Sequence, residues 1–345
     1  MNAQAQTTQR QWQLRKSGDA PPRLELVELP VRQPGEHEVL VRVHAVSLNR
    51  RDVYVKMGRY PGPMRANLVP LSDGAGEVIA TGPKATRFGK GDRVAAIFFQ
   101  GWQKGRFKSE HLATALGGAV DGMLSQHVTL NENGLVAIPK HLGYEEAATL
   151  PCAGVTAWNG LVTRGHTRPG DFVLLQGTGG VAILGLQLAQ ALRARAVITS
   201  SSDEKLARAK QLGAAVTINY KTTPEWDKAV LTATGGGGVQ QALEVGGKQT
   251  LGKTLASLAP GGHVALIGGL SEFGGDIPAY ALMGRNATAS GLYVGSRADF
   301  EALNAFLEQH QIEPVIGRVF EFDDAPAAYD YMDSGALFGK VVIRL

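Results

Sequence analysis

The chain contains a single cysteine, Cys152, in 345 residues. An internal disulfide framework is excluded, and the scarcity fits a reducing compartment. Long apolar runs are missing too: no stretch approaches the roughly 20 residues needed to span a bilayer. The segment Met1 to Lys16 is polar and lacks an apolar h-region, so no signal peptide is expected. Neither sign of charge dominates. Lys+Arg 35 against Asp+Glu 31 leaves +4, interspersed and without an arginine-rich block. That balance argues against nucleic acid as a partner. The expectation is a soluble cytoplasmic protein, long enough for two domains rather than one core. Glycine is abundant, 44 in all, and it falls at turns between apolar segments rather than in a repeat.

The most telling of those glycines follow the apolar run Phe172-Val173-Leu174-Leu175-Gln176. Gly177, Gly179 and Ala182 have the spacing G-x-G-x-x-A, with Thr178, Gly180 and Val181 between them. The first small residue permits a tight turn, the second lets backbone N–H groups approach a pyrophosphate, and the third lets helix and strand pack closely. Leu184, Leu186, Leu188, Ala189 and Leu192 then keep helical periodicity, and the β-branched run Val197-Ile198-Thr199 follows. A strand, a glycine turn and a helix in succession are the context in which this spacing means dinucleotide binding.

A second absence refines that reading. A site for NAD ends its second strand with an acid, about 20 residues beyond the glycines, which holds the ribose 2′-hydroxyl. Here the position offers Thr199-Ser200-Ser201-Ser202. Without the acid there is no repulsion against a 2′-phosphate. Ser202 reads as the N-cap of a helix from Asp203 to Leu212. Lys205 then falls in its first turn, where a cation opposes the helix dipole unless an anion sits nearby. Tyr220, after a third strand at Val216 to Ile218, can add a hydroxyl. NADP(H) is the expected cofactor; the competing reading is a solvated serine turn with a surface lysine.

Residues to about 150 read as β-rich and irregular, with strands at Glu38 to Val46, Gly74 to Gly82 and Gly91 to Ile97. Phe99 to Gly122 reads as a long loop. From about 154 strands alternate with helices, which implies a parallel sheet. Strands are expected at 172–176, 196–200, 215–219, 239–245, 263–268 and 289–294, with helices at Pro224 to Thr234 and Thr250 to Leu258. The last fifty residues, with a helix from Arg297, strands near Val319 and at Lys340 to Leu345, and a helix near Ala327 between them, are expected to return to the first domain.

The order of these features resembles the medium-chain dehydrogenase/reductase superfamily. The motifs that carry the resemblance are Asn49-Arg50-Arg51-Asp52, Asp73-Gly74-Ala75-Gly76, Gly91-Asp92-Arg93-Val94, Cys152-Ala153-Gly154-Val155-Thr156-Ala157 and Pro260-Gly261-Gly262. Asn49 with Asp52 and Gly58-Arg59-Tyr60-Pro61 resembles its zinc-free quinone oxidoreductase branch. The resemblance implies an α/β fold: a GroES-like β-rich catalytic domain, 1–153 with 295–345, and a doubly wound Rossmann domain, 154–294, with a six-stranded parallel sheet. It also bears on metal. Zinc alcohol dehydrogenases place a ligand cysteine where this chain has Asn49 and a ligand histidine where it has Ser72; only Cys152 matches their third position. A catalytic zinc needs three protein ligands, and Asp73 alone could join Cys152, so no metal is expected. The relatives' structural zinc needs four cysteines. Cys152 reads as a small buried thiol rather than a nucleophile, Glu145-Glu146 as a helix start, and His44, His127 and His263 as packing or hydrogen-bonding residues of strands.

Without a metal, an acceptor that delocalises the incoming charge suits the site, with hydrogen-bond donors to stabilise it. By resemblance these are Asn49, Tyr54 and Tyr60, although both tyrosines also read as pocket walls, and the segments Tyr54 to Asn67 and Phe99 to Gly122 as shaping that pocket. Arg50 matches a pyrophosphate contact or has a surface role, Thr156 a residue beside the nicotinamide, and Ile267, Leu292 and Val294 strand ends that offer backbone groups to the carboxamide. The expectation is NADPH-dependent reduction of a quinone or α,β-unsaturated carbonyl. The alternatives are alcohol dehydrogenase-like chemistry, or a non-catalytic NADPH-binding sensor, structural or RNA-binding protein. A last strand at the edge of the Rossmann sheet invites pairing with a second copy, so a homodimer is expected.

Overall fold

The computed structural model describes residues 8–16, 21–62, 64–272, 274, 277 and 279–345. The chain divides into two units, Met1–Cys152 with Ser296–Leu345, and Ala153–Gly295. Each boundary lies one residue from the expected one.

The second unit is built on six parallel strands in the order Val216–Asn219, Arg195–Ser200, Phe172–Gln176, Val239–Glu244, Leu258–Leu266, Thr288–Gly291. Phe172–Gln176 is buried at all five residues, as a strand covered on both faces must be. Chain order reverses between this strand and its neighbour Val239–Glu244, which makes their carboxyl ends the switch point where such sheets take ligands. The helix Gly180–Ala191 packs on the sheet through Ile183, Leu184, Leu186 and Leu188. Ala182 is buried, but Gly185 makes the closest approach: a Cβ there would stand 3.0 Å from a Leu175 methyl and 3.2 Å from a Leu243 methyl. The largest departures from the expected strand boundaries are at the fifth and sixth strands. The fifth strand starts at Leu258 and runs through Pro260-Gly261-Gly262, and the sixth stops at Gly291.

The first unit holds a seven-stranded sheet. Its path runs Ile316–Glu321, Lys340–Arg344, Glu38–Leu48, Asp73–Thr81, Arg93–Ala96, Leu135–Ala137, with His127–Asn131 also paired to Glu38–Leu48. The returning C-terminal strand lies antiparallel to Glu38–Leu48, with Val341 opposite Leu48. Val41, Val43, Val46, Leu71, Val78, Leu116, Tyr329 and Val341 share one core.

A two-stranded hairpin, Thr8–Arg15 with Arg23–Pro30, stands where the sequence reads only as polar. Its alternation is hidden because Gln9, Gln11 and Gln13 point inward. Gln9 Oε1 accepts from His127 N–H at 2.7 Å and from Ser125 Oγ at 3.1 Å, so buried amides do there what apolar side chains do elsewhere. The Phe99 to Gly122 loop holds one 3₁₀ turn, Ser109–Thr114, and an aromatic cluster of Phe99, Trp102, Phe107 and His111. Among the described residues no helix is long and apolar enough to cross a membrane.

Candidate functional site

In the second unit the glycine turn takes the conformation its sequence demands. Gly177 has φ +74°, and a Cβ there would meet nothing within 4 Å. The backbone is left-handed and its outer face is open. Gly179 is the N-cap of the helix Gly180–Ala191 and contributes no side-chain cap. The helix's first N–H groups therefore keep the partial positive charge that suits a pyrophosphate. Thr178 is buried, whereas Gly180 and Val181 are half-buried.

The tail of the second strand lies beside this turn, because Gly177 N–H donates to Thr199 O at 2.8 Å. Ser200 is buried; its Oγ accepts from Ser202 N–H at 3.3 Å, and its carbonyl accepts from Tyr220 N–H at 3.1 Å. Ser202 caps the helix Asp203–Gln211 as expected, accepting from Lys205 N–H. Ser200, Ser201, Lys205 and Tyr220 are thus gathered at one strand end. Partial burial lowers the Lys205 pKa; Glu204 acts against that and Arg208 with it. Asp203, the acid of this turn, accepts from Asn219 Nδ2 at 2.8 Å.

Farther along the sheet, Thr156 is buried in the short helix Val155–Trp158. Ile267 and Leu292 lie just beyond their strands and donate their N–H groups to Glu244 O and Leu266 O. Val294 O accepts from Asn159 Nδ2 at 2.9 Å. The sequence reading missed a neighbouring feature. Glu244, 1% exposed, ends the fourth strand and accepts from Gln176 Nε2 (2.7 Å), Thr250 Oγ1 (2.5 Å), Thr254 Oγ1, and the N–H groups of Gly246 (2.8 Å) and Gly247 (2.9 Å). This carboxylate fixes the loop after its own strand. A lone glutamate ending an apolar strand carries little sequence signal.

In the first unit Asn49 lies at the N-terminus of the short helix Arg50–Lys56. Its N–H donates to Asp52 Oδ2 at 2.8 Å and its carbonyl accepts from Asp52 N–H at 3.0 Å. The Lys340 ammonium, 2% exposed, donates to Asn49 Oδ1 at 2.6 Å and to Leu48 O at 2.8 Å, and lies 3.6 Å from Asp73 Oδ2. Arg51 is buried as well, 3.0 Å from Asp52 Oδ1 and bonded to the carbonyls of Leu116 and Gly117. Two cations and two carboxylates are therefore enclosed together, and burial of such charges is tolerated only when they are paired. Burial raises the Asp52 pKa to about 6; Arg51 opposes that rise and Asp73 adds to it.

The other expected residues of this unit divide. The Tyr60 ring lies 4.8 Å from the Arg51 guanidinium and packs against Leu14, Val55 and Leu68; burial raises its pKa. Arg50 pairs with Asp333 at 2.8 Å and stacks over the Tyr54 ring at 5.3 Å. Glu145, in the helix Tyr144–Ala148, pairs with Arg344 at 2.7 Å. His44 stacks on Tyr144; in the second unit, His263 bonds to Gln241 and Ser290.

The donor set does not suit zinc. Lys340 occupies the Asn49 oxygen, and Ser72 Oγ donates to Asp73 Oδ1 at 2.7 Å. Asp73 Oδ2 faces the ammonium, Cys152 N–H at 3.3 Å and Ser47 Oγ at 3.4 Å. Burial, reinforced by Asp73, pushes the pKa of the Cys152 thiol up. Among the described residues no group of three His, Cys, Asp or Glu side chains can hold a metal ion.

Comparison with known proteins agrees with this architecture. The zinc-binding dehydrogenase family matches residues 180–309 and the alcohol dehydrogenase GroES-like domain matches 35–140. A zinc-type alcohol dehydrogenase-like protein of Schizosaccharomyces pombe is 43% identical over 92% of this chain and 93% of its own length. A bovine quinone oxidoreductase-like protein 2 is 29% identical over 93% and 89%. Among solved structures, a chain from Sinorhizobium meliloti assigned as an alcohol dehydrogenase superposes with a TM-score of 0.92 at 42% identity, covering 98% and 99% of the two chains. An NAD-dependent alcohol dehydrogenase superposes at 0.87 with 34% identity, covering 97% and 99%. The chain is an oxidoreductase of the medium-chain dehydrogenase/reductase superfamily, similar to its zinc-type alcohol dehydrogenase-like and quinone oxidoreductase-like members.

Proposed function

We propose that this protein is an NADP(H)-dependent, metal-independent reductase of quinones or α,β-unsaturated carbonyls. The observation that carries the reading is the Asn49 amide. Its Nδ2 is buried and has no partner among the described residues, while its oxygen is held by a lysine. Such a group offers a donor to a substrate oxygen and denies a lone pair to a metal. Bound nicotinamide supplies the hydride. Asn49 Nδ2 stabilises the negative charge that builds on the acceptor oxygen. An enone or quinone spreads that charge by conjugation, and solvent supplies the proton. Tyr54 and Tyr60 wall the acceptor.

For the cofactor, Ser200, Ser201, Lys205 and Tyr220 would receive the 2′-phosphate, the glycine turn the pyrophosphate, and Thr156, Ile267, Leu292 and Val294 the nicotinamide; by resemblance Arg50 is a further candidate for pyrophosphate contact. The NAD-dependent alcohol dehydrogenase among the structural neighbours supports a second reading, NAD-linked alcohol and aldehyde chemistry. We also propose a homodimer joined along the edge strand Thr288–Gly291, near which Tyr280, Met283 and Tyr293 are exposed; light scattering tests this by mass. A cytoplasmic setting fits the one cysteine, and neither nucleic acid nor membrane is required.

The deciding experiment follows oxidation of NADPH and NADH with panels of quinones, enones and simple aldehydes, with and without a chelator. Turnover of quinones or enones with NADPH, indifferent to the chelator, is expected. Turnover confined to aldehydes and abolished by the chelator would establish the second reading instead. Cofactor binding without any turnover would point to a non-catalytic role.

A further inference from the structure

We infer that Lys340 is a positioning residue: its ammonium fixes the Asn49 side chain so that the amide N–H, and not the amide oxygen, faces the acceptor. The inference rests on the reading of Asn49 as the oxyanion donor. An asparagine amide is nearly symmetric in shape, and either end can turn outward. An ammonium has three donors and no acceptor, so the end that meets Lys340 at 2.6 Å must be Oδ1. The rest of the residue is held as firmly. Asn49 N–H is bonded to the Asp52 carboxylate and Asn49 C=O to the Asp52 N–H. Three of its four polar groups are therefore occupied within the first unit. The fourth, Nδ2, is buried with no partner among the described residues.

A buried donor left unpaired is destabilising, and a buried lysine is more so unless its charge is matched. Both occur here on one contact. The contact gives the cost a use. A charge-assisted bond to Oδ1 withdraws density from the amide and makes Nδ2–H the stronger donor. The lysine comes from the far end of the chain. Val341 lies opposite Leu48 across two antiparallel strands, which sets Lys340 beside Asn49. Asp73 at 3.6 Å compensates the charge without occupying the amide.

The test combines Lys340→Met with a probe of the amide itself. In protein labelled with ¹⁵N-asparagine, the Asn49 side-chain pair is identified by its loss in Asn49→Ala. Lys340→Met is expected to shift that pair and to lower kcat at least about tenfold while cofactor affinity stays within about twofold. Asn49→Ala added to Lys340→Met should cause no further loss, because both remove the same interaction. Lys340→Met/Asp73→Asn removes the unmatched carboxylate, and should regain thermal stability while kcat stays low. If Lys340→Met does not fold, this paired variant carries both measurements. An unmoved amide pair, additive losses, or recovery of wild-type kcat in the paired variant would each overturn the inference; the last would reduce Lys340 to a neutraliser of Asp73. Should the wild type turn over neither quinones nor enones, the proposed reaction fails, while the amide resonances still decide the positioning.

Discussion

Glu244 in the second unit and Asp73 in the first are both carboxylates at strand ends, 1% and 0% exposed, yet their partners differ in kind. Glu244 is met by five neutral donors, two threonine hydroxyls, one glutamine amide and two glycine N–H groups. Asp73 receives Ser72 Oγ, with Ser47 Oγ and Cys152 N–H at longer range, and faces the ammonium of Lys340. Neutral donors make a brace whose strength does not depend on another group's ionisation. A cation adds charge balance and ties Asp73 to the atoms the same cation holds, Asn49 above all. The dinucleotide half is thus braced by neutral groups, and the half that carries Asn49 is tuned by charge.

The sharpest way to break this contrast is Glu244→Ala. It removes the acceptor that five donors share, and a loss of about 3–5 kcal/mol is expected, read as a lower melting temperature of the second unit in calorimetry. An unchanged transition would mean that the brace holds nothing. A smaller effect is expected from Lys205→Glu, which places an anion where the 2′-phosphate is proposed to lie. NADPH affinity should fall about tenfold and NADH affinity should hold; equal weakening of both would remove the case for NADP(H). The smallest effect is expected at Asp52. Its carboxyl titrates near 6 in the folded chain against an ordinary 3.8. The folded state binds the proton more tightly, so this group's contribution is full below the ordinary value and is lost as pH rises through about 6. Relative to Asp52→Asn, the wild type should therefore gain stability as pH falls from 7 to 5. Denaturant titrations across that range check the sign.

The same contrast governs what the sequence disclosed. The glycine turn and the Ser202 cap were legible because strand, turn, helix and second strand lie within about thirty consecutive residues, each with local chemistry that permits little else. Asn49 was legible through its motif. Its lysine was not: Lys340 opens the run Lys-Val-Val-Ile-Arg, which reads as any edge-to-core strand, and 291 positions separate it from Asn49. The sequence offers Asp52 as a residue that orients its neighbours or braces its loop, but not the burial of its pair with Arg51. The N-terminal hairpin stayed hidden for a related reason, since inward-facing glutamines erase the alternation that marks a strand. Polar groups buried on long-range partners are what hydrophobic periodicity cannot report.

The discontinuity of the first unit has a consequence for biosynthesis. A ribosome delivers the whole of Ala153–Gly295 before it delivers Lys340. The nucleotide-binding half can therefore close around its sheet while the nascent first half still lacks two strands, Ile316–Glu321 and Lys340–Arg344. Until Lys340 has been delivered, Asp73 has no lysine and nothing holds the Asn49 amide oxygen. The nucleotide-binding half is thus complete before the lysine that holds Asn49 is made.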